Sequence, residues 1–190
     1  MDWHSPSLFA ILDSRPGKAL LEHSLPADCT PAFSALSSRE VHYLITGGAA
    51  MNLHGIPRLT DDLDLLVDLR EGNLVRFQGA MEDLGYLPRG PEGSSGGVTR
   101  ILRDSRARGR STATLSPQGP EGPGPKIDLV VRPPLPFDEV FRRRGKIIFG
   151  DLVLPVLSIE DMIAFLRRYG RERDTEDVRI LEKVQDMKGV

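Results

Sequence analysis

The chain reads as an α/β (α+β) protein, a small mixed β-sheet flanked by helices and followed by a C-terminal helical segment. Three observations point there. Short apolar runs of strand length alternate with amphipathic stretches of helical period in the first half. Glycines or prolines bound several of those runs, as at Gly47-Gly48, Gly85 and Pro133-Pro134. Residues 158–190 carry two helical patterns with a capping signal ahead of the first.

In order along the chain, "SLFAILD" suits a short helix ended by Pro16-Gly17, and "GKALLEH" a second. "PAFSALSSREV" reads as a helix with proline in its first turn. "HYLITGG" is a buried strand bounded by glycine, and "GAAMNLHG" a helix that Gly55 ends. "DLDLLVDL" is the next strand. "NLVRFQGAMEDLGY" places Leu74, Val75, Phe77, Met81 and Leu84 on a helical face, with Gly85 as the stop. Within the Gly-, Pro-, Ser- and Arg-rich segment 88–125, "VTRILRD" and "TATLS" read as two strands of a hairpin with an arginine-rich turn between them. "KIDLVVRPP" is a strand that Pro133-Pro134 terminates, and a short helix and a hairpin follow. Ser158 with Asp161 three residues on gives a capping-box start to "SIEDMIAFLRRYG", and "RERDTEDVRILEKVQDMKG" is the last helix. This divides the chain into a helical extension, 1–35; a core domain, 36–157, with 88–125 as a flexible hairpin insert; and helices packed on the core, 158–190.

Composition narrows the function classes. A formal net charge of −2 supplies no global field to recruit nucleic acid or anionic membrane. The single cysteine, Cys29, allows neither an intramolecular disulfide nor a cysteine metal site, and suits a reducing cytoplasm. The N-terminus has no basic start, and its apolar run Leu8 to Leu12 is shorter than a signal-peptide core. No run approaches the roughly 20 apolar residues that span a bilayer, so no membrane partner is expected.

The informative stretch is "ITGGAAMNLHGIPRLTDDLDLLVD", Ile45 to Asp68. Acidic residues number 27 of 190, so an acidic-x-acidic triplet recurs by chance about four times. Asp62-Leu63-Asp64 differs from the C-terminal triplets because it lies in a strand-like run. Residues i and i+2 of a strand share a face about 6–7 Å apart, which turns Leu63, Leu65 and Val67 toward a core and Asp61 away from the pair. Two like charges on a half-buried face repel and resist desolvation. A divalent cation removes both penalties, and paired carboxylates clamping two cations are used in phosphoryl transfer. The plainer reading, Asp62 at an exposed strand start paired with Arg58, stays open on the aspartates alone. Gly47-Gly48 sits between a strand and a helix, where backbone N–H groups form an anion site. The pattern matches neither a dinucleotide-binding loop nor a P-loop. Asp128, in "KIDLVV", supplies a third carboxylate if its strand lies beside that of Asp62 and Asp64; an isolated strand-edge aspartate is the alternative.

These residues resemble the nucleotidyltransferase superfamily of DNA polymerase β-like fold, and within it the small branch that includes AbiEii-type toxins and lincosamide or aminoglycoside nucleotidyltransferases. The resemblance rests on Gly47-Gly48, His54-Gly55, Arg58-x-Thr60, Asp62-x-Asp64 with its apolar run, and Asp128. "LPVLSIEDMIAF" and "GRERDTEDVRIL" are similar to that branch's helix pair. It covers residues 40–68 well and 126–181 in part. Relatives often carry a lysine about where Leu166 falls, and an R-x-K-D pattern where this chain has Arg171-Glu172-Arg173-Asp174; charge is kept and lysine is not.

The resemblance implies a nucleotidyltransferase fold and transfer of an NMP from an NTP to a hydroxyl acceptor on a tRNA end, a protein or a small molecule, with release of pyrophosphate. It implies two Mg2+ ions on Asp62, Asp64 and Asp128, a triphosphate held by Gly47 and Gly48, and support from Arg58 and Thr60. A non-catalytic nucleotide-binding or toxin–antitoxin module that keeps the fold, with an antitoxin partner, is the alternative. His54 reads as a helix-end residue bonded to backbone rather than a base or ligand. Arg100, Arg103, Arg106, Arg108 and Arg110 read as a solvated basic turn, since no aromatics interleave to stack bases. Arg142-Arg143-Arg144 reads as the charged end of a helix. Arg167, Arg168, Arg171 and Arg173 lie near the presumed cleft, one or two on phosphate and the others paired with Glu172, Asp174, Glu176 and Asp177 by helical spacing.

Overall fold

A computed structural model describes residues 25–26, 29–87, 95–117, 124–170, 172 and 174–188. The two expected helices before residue 25 lie outside the described residues, as do Arg171 and Arg173.

Six strands form one mixed sheet in the order β3-β4-β2-β1-β6-β5. In chain order they are β1 (Tyr43–Ile45), β2 (Asp62–Val67), β3 (Thr112–Leu115), β4 (Lys126–Val130), β5 (Gly145–Phe149) and β6 (Leu152–Val156). The pairs β1–β6 and β2–β4 are parallel; β1–β2, β3–β4 and β5–β6 are antiparallel. Seven helices are described: α1 (Thr30–Ser38), α2 (Gly47–Leu53), α3 (Glu71–Asp83), α4 (Gly96–Ala107), α5 (Phe137–Arg142), α6 (Ile159–Tyr169) and α7 (Asp174–Lys188). The chain is thus a mixed α/β protein, as expected.

Alternation in β2 does what the sequence predicts. Leu63 and Leu65 are fully buried while Asp62 and Asp64 are half-buried on the other face. Each leucine contributes about 1.5–3 kcal/mol by leaving water. Phe33 and Leu36 of α1 and Phe77 and Met81 of α3 are fully buried in the same core, and Phe33 meets Phe149 of β5 edge-on. Pro31 sits in the first turn of α1, where a missing N–H costs no helical bond. Buried Asn73 stitches the start of β1 to the end of β2: its amide accepts from the His42 N–H at 2.7 Å and donates to the carbonyls of His42 and Asp68 at 2.9 Å each.

The first C-terminal helix, α6, begins and ends as read; α7 begins at Asp174, inside the stretch read as helix. The Ser158 hydroxyl accepts from the Asp161 N–H at 3.2 Å and donates to its carboxylate at 3.0 Å. Gly170 closes α6 in the left-handed region, φ +63. α6 packs on α7.

One expectation is overturned. "VTRILRD" is not a strand of a hairpin but the body of α4. Val98, Leu102 and Ser105 are its buried residues, at helical spacing, and the α4 start is anchored from outside. The Gln78 side chain, buried on α3, accepts from the N–H groups of Gly97 and Val98 at 2.9 and 3.2 Å. Arg100, Arg103 and Arg106 therefore lie on a helix, and Arg108 and Arg110 just after it, all five exposed. "TATL" is a strand, but its partner is β4.

Candidate functional site

The β1–α2 turn, the chain from Arg58 into β2, the β3–β4 pair and the two C-terminal helices enclose a cleft of about 410 Å3. Its floor is set by strand register. Asp64 of β2 stands directly opposite Asp128 of β4 in the parallel pair, and Asp62 is two residues away on the same face. The strand of Asp128 does lie beside that of Asp62 and Asp64. Asp62, Asp64 and Asp128 all line the cleft, as do Gly47, Gly48, Arg58 and Thr60.

The glycine pair is explained by close approach. Gly47, the first residue of α2, has φ +62, and a Cβ there would fall inside the Asp64 carboxylate. A Cβ on Gly48 would lie 2.7 Å from the Thr60 Cβ. The pair lets the cleft carboxylate and the Thr60 side chain pack directly on the helix start. Thr60 in turn donates to the Asp62 carbonyl at 3.1 Å, bracing the entry to β2.

Asp128 is oriented by a residue that the motif reading did not single out. Thr114 of β3, opposite Asp128 in register, donates its hydroxyl to Asp128 Oδ1 at 2.5 Å. The signal was present, because alternation in "TATL" puts Thr112 and Thr114 on one face. Among the described residues, no group of three or more His, Cys, Asp or Glu side chains is drawn together so as to hold a metal ion by itself.

Arg58 does not pair with Asp62. Its guanidinium donates through Nε and Nη2 to the Asp177 carboxylate on α7, at 3.0 and 3.3 Å. Asp177 is therefore bonded across the cleft rather than along its own helix. Arg167 reaches Glu182 on α7, not the acids expected from helical spacing. Arg143 pairs with Asp161 at 2.7 Å, and Arg144 lies over the Phe141 ring at 4.0 Å. His54 caps α2 with its backbone, and its Nε2 lies 2.8 Å from the Leu157 carbonyl. It is a helix-end residue, as read. The helix wall of the cleft is largely apolar, with Met162, Phe165, Leu166 and Tyr169 of α6. The Tyr169 hydroxyl donates to the Arg132 carbonyl at 3.1 Å.

The electrostatics are one-sided. Six aspartates line the cleft (61, 62, 64, 128, 174 and 177) against one arginine among the described lining residues. Asp62 and Asp128 make no ion pair among the described residues. Elsewhere, buried Asp68 is paired: burial opposes its ionisation, but hydrogen bonds from the Arg70 side chain and N–H, at 2.7 and 3.1 Å, hold its carboxyl below the usual carboxylate range. No helix of the described residues is long and apolar enough to cross a membrane.

Two solved structures are similar over most of their length. One is of a candidate nucleotidyltransferase from Thermotoga maritima: 14% identity, 82% of this chain and 89% of that one, TM-score 0.44. The other is of an antigenic nucleotidyltransferase-like protein from Paracoccidioides brasiliensis: 16% identity, 84% and 78%, TM-score 0.45. Comparison with curated proteins finds no significant match. The family model described as "Nucleotidyl transferase AbiEii toxin, Type IV TA system" matches residues 33–184, a span that takes in the whole cleft, and the chain belongs to that nucleotidyltransferase toxin family.

Proposed function

We propose that the protein is a Mg2+-dependent nucleotidyltransferase that moves an NMP from an NTP to a hydroxyl acceptor and releases pyrophosphate. The observation that supports this best is the register of Asp64 opposite Asp128, with Asp62 on the same face, in a cleft with too little positive charge of its own to receive a triphosphate.

The donor set suits Mg2+ in kind: hard carboxylate oxygens, with no cysteine or histidine in the cleft lining. Mg2+ is ordinarily held by one or two carboxylates, water and substrate phosphates rather than by a complete protein cage. The lack of a ready three-residue cluster is compatible with that habit. Asp62 and Asp64 would hold one ion, and Asp64 with Asp128 a second. Bound there, the ions would neutralise the facing carboxylates and the triphosphate together.

The chain's own groups then have distinct tasks. The first-turn N–H groups of α2, at Gly47 and Gly48, have no helical acceptor and suit phosphate oxygens. Thr114 donates to one oxygen of Asp128 and fixes the orientation of the carboxylate, whose remaining lone pairs would hold the ion and take the proton of the acceptor hydroxyl. The acceptor oxygen bonds to the α-phosphorus, the bond from that phosphorus to the β-bridging oxygen breaks, and pyrophosphate leaves with that oxygen. Positioning and charge neutralisation supply most of the acceleration. The family's name assigns relatives to a type IV toxin–antitoxin system. The corresponding reading here is that transfer to a cellular acceptor arrests growth and that an antitoxin opposes it.

The test is calorimetric titration of the four NTPs with and without Mg2+, together with labelling of cell extract from each α-labelled NTP. At least one NTP should bind only with Mg2+. Asp62→Asn with Asp64→Asn should weaken that binding at least about a hundredfold and abolish labelling. Equal Mg2+–NTP affinity in the double variant would sink the site.

A further inference from the structure

Arg58 is held at two points, by one residue six positions away and by another 119 positions away. Buried Asn52, in the last turn of α2, accepts from the Arg58 N–H through Oδ1 and donates through Nδ2 to the Arg58 carbonyl, both at 2.7 Å. An amide that meets both backbone groups of one residue does the work of a neighbouring strand, and fixes the Arg58 backbone against α2. The guanidinium is held separately. Asp177 takes Nε and Nη2 as a fork, and the Leu59 carbonyl takes Nη1 at 2.9 Å. The Asp177 side chain is only 14% exposed, so the fork is partly shielded from water.

Donor counting shows what remains. A guanidinium carries five N–H donors in one plane. These three bonds use one on each nitrogen, which leaves one donor on each Nη. The fork fixes the orientation of the plane as well as its position. An arginine held this way loses little further freedom when it meets a ligand.

We propose that Asn52 and Asp177 are positioning residues that aim the remaining donors of Arg58 at a phosphate of the bound NTP. This rests on the nucleotide reading of the cleft above. Asp177 thereby makes the last helix part of the nucleotide site without itself touching the reacting atoms. The alternative role for the same contacts is a strap that only fastens α7 to the loop before β2, and the two roles separate under charge exchange.

The experiment measures affinity for Mg2+–NTP and for Mg2+–pyrophosphate, alongside the thermal midpoint, in four proteins: wild type, Asp177→Ala, Asn52→Ala, and the exchange Arg58→Asp with Asp177→Arg. Asp177→Ala is expected to weaken both ligands about tenfold, and Asn52→Ala to weaken them as well. The exchange should restore the thermal midpoint lost in Asp177→Ala but not the affinity, because the guanidinium then starts from α7. Unchanged affinity in Asp177→Ala, or an exchange that restores affinity as fully as stability, overturns the proposal and leaves a strap. Wild-type protein that binds neither ligand would instead overturn the nucleotide reading itself, and this inference with it.

Discussion

Asp68 and Asp161 make an instructive contrast with Asp62, Asp64 and Asp128. The first two are almost fully buried, and each brings its counter-charge from the chain: Arg70 for Asp68, Arg143 for Asp161. Both also accept further hydrogen bonds, from the Arg70 N–H and from the Ser158 hydroxyl. The cleft aspartates are half-buried, and what lies near them is a glycine, a threonine hydroxyl and other aspartates in register. A carboxylate that serves the fold is neutralised when the chain folds. On the proposed reading, Asp62 and Asp128, which make no ion pair among the described residues, are matched in charge by a ligand instead.

The substitution with the largest effect should divide the two groups. Asp62→Asn with Asp64→Asn, expected to remove the proposed NMP transfer, is also expected to leave the thermal midpoint level or slightly higher, because it relieves repulsion between like charges. A midpoint lowered by several degrees would mean that these aspartates are structural after all. Asp161→Ala is the converse. It strips a buried acceptor from Arg143 and the Ser158 hydroxyl, and urea unfolding should show a loss of about 2 kcal/mol. A stability equal to wild type would break the contrast from the other side.

Acid titration sharpens it further. The Asp68 carboxyl is depressed in the folded protein, so its contribution is present above the unfolded carboxylate value, about 3.9, and is lost as pH falls through the lower folded value. Wild type should lose stability across that acid window, and Asp68→Asn should lose less there while being weaker at neutral pH. Identical slopes in the two proteins would remove Asp68 from the account. The smallest effect is expected from Thr114→Val, which frees Asp128 Oδ1: transfer about tenfold slower, with the midpoint within a degree or two. A rate equal to wild type would show that Asp128 needs no orienting partner.

What could be read in the chain beforehand follows range along the sequence. The Asp62-x-Asp64 alternation, the glycine pair, the Ser158 cap and the stop at Gly85 were visible because each depends on a few neighbouring residues. Helix α4 was misread because "VTRIL" is rich in residues that favour strands and is flanked by Gly and Ser. Its deciding partner, Gln78, lies nineteen residues before Gly97. The plainer alternative for Arg58, a pair with Asp62, fails for the same reason. Asp62 is four positions away, but Asp177, 119 positions away, is the one that folding delivers. Asn52 carried no signal, since an amide in an apolar helix shows its use only once the chain turns back past it.

The seating of the Asp64 carboxylate over Gly47 ties two positions together as one inheritable choice. While Asp64 is present, a side chain at position 47 collides with it, and the left-handed backbone there disfavours one in any case. A descendant of this chain with a bulky residue at position 47 would thus report the loss of Asp64, or its displacement, before position 64 was inspected. For anyone sorting working copies from relics, the glycine is as telling as the acid.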